Sequence, residues 1–328
     1  MEKYSSPISV IKQNRMNLEK YSVYKRDMRE YNYLNNIPLK GIKLRKVIYP
    51  IVSFVVKMFR LSNKHTLEII NDRRFKTSKP CIFMPTHVGK YDLERVFEAC
   101  NISCWIFNSD PETVYRNFDG FSLNASGVVH IDTNSKSDRK VALETAIKLL
   151  NNGGNLMFYP EGVWNVEPSI PVLPLYKGIV EIALRSKADI IPIALEQYGN
   201  NFEVNIGENI TVEDLYKISL SDDEKIKTQE ILQYLRNELA TLKWEIFERH
   251  TESRGSITES VEEIQKQRIK EKLYEWVDKN GNPYYSESIL KERQFKPKGQ
   301  VDFTTAFSHL ENIKLNNNNV FLLNKRLK

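Results

Sequence analysis

The stretch that most constrains this chain is Lys79 to Asp92, KPCIFMPTHVGKYD, where the apolar residues Cys81 to Met84 run without a break into a Pro-Thr-His turn. An unbroken apolar run of this length suits a strand covered on both faces, and Tyr91 to Cys100 then takes up a helical pattern. His87 is thereby predicted in a strand-to-helix loop. In open α/β sheets such loops line the crevice at the carboxyl ends of the strands, where ligands bind. Gly89 lets the loop turn tightly, and Asp92 falls in the first helical turn, from which its carboxylate folds back to one imidazole nitrogen. Such a carboxylate fixes the tautomer and stabilises the imidazolium, leaving the other nitrogen to take a proton from a hydroxyl. No Ser or Cys nucleophile is required. Taken alone, the pair is a weak signal, because a loop histidine beside a helix-capping aspartate is ordinary structure.

A second stretch repeats the architecture. Asn155 to Asn165, NLMFYPEGVWN, reads as an apolar strand with Pro160-Glu161-Gly162 in the following loop, and Leu173 to Gly178 opens the next helix. Between the two lies Gly127 to Asp132, GVVHID, a strand with an acid at its end, and beyond comes the apolar Ile190 to Ala194. Read in isolation, Pro160-Glu161-Gly162 is a plain turn.

These four blocks, in this order and at this spacing, resemble the glycerolipid acyltransferase family of the 1-acylglycerol-3-phosphate acyltransferase type. The family pattern is His-x4-Asp, then Gly-x-x-x-Ile-Asp-Arg, then Phe-Pro-Glu-Gly-Thr-Arg followed by Lys-Gly, then an apolar Ile-Pro-Ile/Val, and the likeness covers residues 77 to 210. Two positions depart from it: Thr133 stands where the family has Arg, and Val163-Trp164 where it has Thr-Arg.

The resemblance implies an α/β fold with a mixed, largely parallel sheet flanked by helices, and an O-acyltransferase activity of the EC 2.3.1 type. An acyl group would pass from acyl-CoA or acyl carrier protein to a hydroxyl of a lysophospholipid or related lipid, with no covalent enzyme intermediate. His87 takes the role of general base and Asp92 orients it. The Pro-Glu-Gly block is assigned to acceptor binding, so Glu161, Gly162, Lys177 and Gly178 are carried over, and Arg139 is a candidate replacement for the missing arginines. No cofactor is expected beyond the acyl donor. Two rival readings share the residues: a non-catalytic lipid- or partner-binding protein, and a His-Asp thioesterase or hydrolase that would release free acid without an acceptor.

Residues 40–76 form a distinct segment, with ten basic residues against Glu68 and Asp72, a surplus of eight that exceeds the net +6 of the whole chain. Within it Val47 to Phe59, VIYPIVSFVVKMF, is apolar for 13 residues, short of the ~17 to 25 that a spanning helix needs. Two readings fit: an interfacial helix on an anionic bilayer surface, each flanking Lys or Arg contributing about 1 kcal/mol, or a core-packed helix with solvated flanks. The resemblance favours the first, because a long-chain lipid substrate resides in a membrane. The expected location is the cytoplasmic face, peripheral or monotopic. A basic patch also suits nucleic acid, but no recognisable binding motif accompanies it and no nucleic-acid partner is expected.

The chain has 328 residues, 41% of them apolar, enough for a sizeable core. Its three cysteines, Cys81, Cys100 and Cys104, leave one over in any disulfide scheme and lack companions at zinc-site spacing, so reduced core thiols and no metal site are expected. His130 reads as a packed strand residue, and His65, His250 and His309 have no acid or Gly-rich context. The division read from the sequence is a polar N-terminal arm over 1–39, the basic and apolar segment over 40–76, the α/β domain over 77–250 and a C-terminal extension over 251–328. Further expectations are an irregular segment over 110–124, a helix capped by Ser137, a helix over 174–187, a capping box at Ser221 to Glu224 opening a long helix, and a hairpin around Asn280-Gly281.

Overall fold

The structure, a computed structural model, describes residues 18–89, 91–108, 127–165 and 172–249. The hairpin read around Asn280-Gly281, the segment over 110–124, His250 and His309 lie outside the described residues. Seven strands form one sheet: β1 (Thr66–Asp72), β2 (Cys81–Pro85), β3 (Trp105–Asn108), β4 (Val128–His130), β5 (Leu156–Met157), β6 (Asp189–Tyr198) and β7 (Asn201–Ile206), in the order β1-β7-β6-β2-β5-β3-β4. β6, β2, β5, β3 and β4 are mutually parallel, β7 returns antiparallel to β6, and β1 runs parallel to β7. The sheet is therefore mixed and largely parallel. It begins at Thr66, ahead of the boundary at 77 read from the sequence, because the edge strand β1 is half exposed and carries no continuous apolar run.

β2 lies at the centre of the order and is buried along its whole length. Its alternation divides the core. Ile82 and Met84 join Leu149, Leu156, Ile179 and Leu235 on one face, and Cys81 and Phe83 join Val96, Phe97 and Val204 on the other. Each such side chain contributes about 1.5–3 kcal/mol by leaving water. The first face is covered by α5 (Lys136–Asn151), α6 (Gly178–Ser186), α7 (Val212–Ile218) and α8 (Glu224–Arg249), the second by α3 (Ile42–Ser62) and α4 (Asp92–Cys100). The three cysteines are buried and carry no disulfide.

Several helix starts differ from the sequence reading. α5 is capped by Ser135, whose hydroxyl accepts the Asp138 N–H at 3.3 Å, while Ser137 lies inside the helix and meets the Ser135 hydroxyl at 3.0 Å. α8 is opened by Asp223, which accepts the Lys225 and Ile226 N–H groups at 2.7 and 3.2 Å, two residues after the expected Ser221. α6 begins only at Gly178, after the expected start at 174; the segment before it is tied to the Glu161 loop, the Leu173 N–H by the Glu161 carboxylate and the Tyr176 N–H by the Pro160 carbonyl. A capping box that the sequence reading missed, Thr211 with Asp214, opens α7.

The polar arm contributes α1 (Leu18–Leu34), followed by the short α2 (Ile37–Lys40). α1 is pinned to α5 by Arg29, whose guanidinium donates to both Asp138 oxygens at 2.7 and 2.9 Å. α3 runs through Pro50 for 21 residues. One side of it, Tyr49, Val52 and Val56, packs toward α4. The opposite side leaves Leu44, Val47, Ile51, Phe54, Val55 and Met58 exposed at spacings of three and four, an apolar stripe along the helix. Among the described residues, no helix is long and apolar enough to cross a membrane.

Candidate functional site

The carboxyl end of β2 is held from three sides. The Thr86 hydroxyl accepts the Leu195 N–H at 3.0 Å, and its own N–H donates to the Ile193 carbonyl at 2.9 Å, so β6 grips the residue before His87 on both backbone and side chain. The His87 N–H donates to Glu161 Oε1 at 2.9 Å, and the His87 carbonyl accepts the Asn165 N–H at 2.8 Å. A histidine so bound has little backbone freedom left.

Its ring is fixed as firmly. Asp92, 3% exposed at the start of α4, lies 2.6 Å from His87 Nδ1 through Oδ2, and the same oxygen accepts the N–H groups of Val88 and Gly89 at 3.0 and 3.3 Å. A carboxylate that already accepts two N–H groups is an acceptor toward the imidazole as well, so Nδ1 carries the hydrogen and Nε2 is left with a free lone pair. Tyr159 packs against the imidazole with ring centroids 4.6 Å apart, and Trp164 meets it edge-on at 6.1 Å. The side chain is 22% exposed, enclosed but reachable.

Glu161 is fully buried. Its second oxygen accepts the Leu173 N–H at 2.8 Å, so one carboxylate ties the His87 loop to the segment leading into α6. The sequence reading assigned Glu161 to the acceptor; the structure commits both of its oxygens to backbone donors. Burial raises the Glu161 pKa, opposed by the charge of Lys243 and by the two N–H groups. Lys243, on α8, is itself pulled down to about 8 by burial. Its ammonium lies 3.0 Å from the buried Glu196 carboxylate on β6.

Gly162 has a φ of 70°, the left-handed region, and a Cβ there would collide with the Tyr176 ring. The Tyr176 N–H donates to the Pro160 carbonyl at 2.8 Å, which sets the exposed Lys177 beside the Glu161 loop. Gly178 begins α6, where an added Cβ would meet Phe158 only at ordinary van der Waals distance. His87 is thus hydrogen-bonded to both Asp92, through its ring, and Glu161, through its N–H, with Gly162 and Lys177 beside the Glu161 loop. Arg139 is placed elsewhere: it is exposed on α5 and donates to the Thr133 carbonyl just beyond β4, with β5 and β3 standing between β4 and β2.

The sequence reading missed Tyr159, Asn165 and Thr86, which hold His87, and Lys243, which acts on Glu161. Only Tyr159, where the family pattern has Phe, and Asn165, closing the quoted block, had any local signal. His130 is buried at the end of β4, with the Asn108 amide 3.5 Å from its Nδ1. Among the described residues no cluster of three or more His, Cys, Asp and Glu side chains is placed to hold a metal ion.

The chain is 20% identical over 151 residues to human 1-acyl-sn-glycerol-3-phosphate acyltransferase beta, a match covering 46% of this chain and 53% of that protein, so the chain spans about half the length of the curated relative it matches. Among solved structures it is similar to the 1-acyl-sn-glycerophosphate (LPA) acyltransferase PlsC from Thermotoga maritima, with a TM-score of 0.46 and 14% identity over 61% of this chain and 82% of that one. The model of the family described as Acyltransferase matches residues 66–196, the segment from β1 into β6 that holds His87, Asp92 and Glu161. It is over this segment that the chain is similar to the acyltransferase family.

Proposed function

We propose that the protein is a membrane-associated O-acyltransferase that moves a fatty acyl group from an acyl thioester, acyl-CoA or acyl carrier protein, to a hydroxyl of a lysophospholipid or related lipid. The observation that carries this reading is the His87–Asp92 contact of 2.6 Å, with the carboxylate braced by two backbone N–H groups. Nε2 takes the proton of the acceptor hydroxyl as its oxygen attacks the thioester carbonyl. The tetrahedral intermediate then collapses, the C–S bond breaks, and the imidazolium returns the proton to the departing thiolate, so no enzyme bond forms. The buried Asp92 carboxylate stabilises the transient imidazolium. Gly162 and Lys177, beside this loop, are the proposed acceptor contacts, while Glu161 acts by holding the loop.

The membrane part of the reading rests on α3. Its exposed stripe is apolar, and the lysines around it, Lys40, Lys43, Lys46, Lys57 and Lys64, are exposed as well. The arginines of the segment are occupied within the fold: Arg45 stacks on Trp105 at 4.4 Å, Arg60 pairs with Glu98 at 3.0 Å, Arg73 with Glu245 at 2.9 Å and Arg74 with Asp72 at 2.5 Å. The lysines are therefore the charges left for anionic lipid.

The experiment is an acyl-transfer assay on purified protein with an acyl thioester and a panel of lysolipids. His87→Ala is expected to lower kcat by about 10² to 10⁴ with the fold intact, and Asp92→Asn by somewhat less. Near-normal transfer by His87→Ala defeats the mechanism. Release of free acid without any acceptor replaces it with the hydrolase reading.

A further inference from the structure

We propose that Trp164, together with Tyr176, selects an acceptor whose head group is a phosphodiester bearing a quaternary ammonium. The inference rests on the reading of His87 as base and names the class of lysolipid that the same site takes.

The head group of a lysolipid lies a few bonds from the hydroxyl that attacks, so the side chains nearest His87 read it. Trp164 is one of them. Its indole stands 6.1 Å from the imidazole at 79°, and the next residue, Asn165, donates its N–H to the His87 carbonyl at 2.8 Å, which ties the indole to the backbone of the base. The indole is half-buried. Two residues back, within about 7 Å of chain, Gly162 has the Tyr176 ring against its backbone: a Cβ there would come within 2.4 Å of Tyr176 Cε2. Tyr176 is 46% exposed, and Lys177 beside it is exposed as well. Two aromatic rings and the Lys177 ammonium thus surround the Glu161 loop.

Charge decides among head groups. A phosphate monoester brings about 1.5 to 2 negative charges at neutral pH and is met best by paired guanidinium donors. Thr133 and Trp164 supply none, and Arg139 is bonded to the Thr133 carbonyl. A phosphodiester brings a single charge, which Lys177 matches. A primary ammonium on that diester donates hydrogen bonds and calls for a carboxylate. The two carboxylates described next to His87, Asp92 and Glu161, are buried and bonded to the N–H groups of Val88, Gly89, His87 and Leu173. A trimethylammonium donates no hydrogen bond and is attracted to the faces of aromatic rings, Trp above all. Both charges of such a head group find a counterpart here.

The test compares acceptors of one short acyl chain, each presented as a dilute monomer to purified full-length protein with one acyl thioester. They are lysophosphatidylcholine, its neutral tert-butyl isostere, lysophosphatidylethanolamine and lysophosphatidic acid. Lysophosphatidylcholine is expected to exceed the other three in kcat/KM by about five-fold or more, as a cation held on an indole face contributes. Trp164→Ala should raise KM for lysophosphatidylcholine about ten-fold and bring it level with the isostere. Trp164→Arg should turn the preference toward lysophosphatidic acid. Equal kcat/KM on lysophosphatidylcholine and its isostere in wild type overturns the proposal, as does a choline preference that survives Trp164→Ala. Should Trp164→Ala fail to fold, the wild-type ratio of lysophosphatidylcholine to isostere decides alone. Transfer to none of these lysolipids, or an active His87→Ala enzyme, defeats the underlying reading, whereas transfer by wild type without preference among head groups defeats this inference alone.

Discussion

The buried His130 ties the stability of the fold to acid. The imidazole is 7% exposed at the end of β4, and burial, followed by the charges of Arg29 and Lys25, pulls its pKa from 6.5 to about 3. The unfolded chain takes a proton below the ordinary value and the folded one refuses it until the lower value is reached. Between those limits the unfolded state binds more protons, so stability falls as pH falls through the window. At about 1.4 kcal/mol per pH unit, going from pH about 7.5 to pH about 5 costs about 2 kcal/mol through this one residue, and the loss levels off near 5 kcal/mol below the folded value. A domain has only about 5–15 kcal/mol in total. Urea unfolding followed by tryptophan fluorescence at the two pH values, on wild type and on His130→Asn, isolates the effect, because every other titrating group is common to both. Wild type is expected to lose about 2 kcal/mol more than the variant. Equal losses refute the reasoning, whatever the absolute stability of the variant.

Tyr159→Phe should be neutral or stabilising by up to about 1 kcal/mol in a thermal or urea melt, since the buried phenol oxygen has no hydrogen-bond partner among the described residues; a clear destabilisation means the hydroxyl is satisfied. Gly162→Ala should cost about 1–2 kcal/mol from its left-handed backbone and the Tyr176 ring, and a melt unchanged from wild type refutes it. Binding to anionic vesicles in a flotation assay should be lost in Val47→Asp/Phe54→Asp and should weaken about five-fold for each of Lys43→Ala and Lys46→Ala, and with added salt; protein released only by detergent contradicts the interfacial placement of α3. With Thr133 and Trp164 in place of the family arginines, and Arg139 occupied at the Thr133 carbonyl, lysophosphatidic acid is expected to be a poorer acceptor than a lysolipid with a bulkier or uncharged head; a preference for lysophosphatidic acid in side-by-side assays means other residues grip the phosphate.

What could be read from the sequence was what is local. Cys81 to Met84 announce a central strand because four consecutive apolar side chains need cover on both faces, and His87 with Asp92 announces a bonded pair because five residues across a loop and a helix start bring them within reach. Caps are local too, yet neighbouring candidates compete: Ser135 and Ser137 stand two residues apart, and the choice depends on where the turn after β4 ends. The role of Glu161 was not legible, since its partners lie 74 and 12 residues away and its counter-charge sits on α8. The basic segment misled in a related way. Ten charges in a row of residues look like one surface, but stacking on Trp105 and pairing with Glu98, Glu245 and Asp72 draw the arginines inward, and those partners appear only after folding.

The pairing of β1 with β7 has a consequence for the order of events during synthesis. Thr66 and Asn201 share a side-chain hydrogen bond across a separation of 135 residues, and β7 is the neighbour of β1 in the sheet. At ~5–20 residues per second a ribosome needs on the order of ten seconds to span that gap. During that interval α3 and β1 are already made while the strand that pairs with β1 does not exist. A nascent chain in that interval presents the apolar stripe of α3 together with an unpaired strand edge, the combination most prone to association with whatever apolar surface is nearest. The apolar stripe that α3 leaves exposed in the finished protein is thus presented to its surroundings well before β1 gains its partner strand.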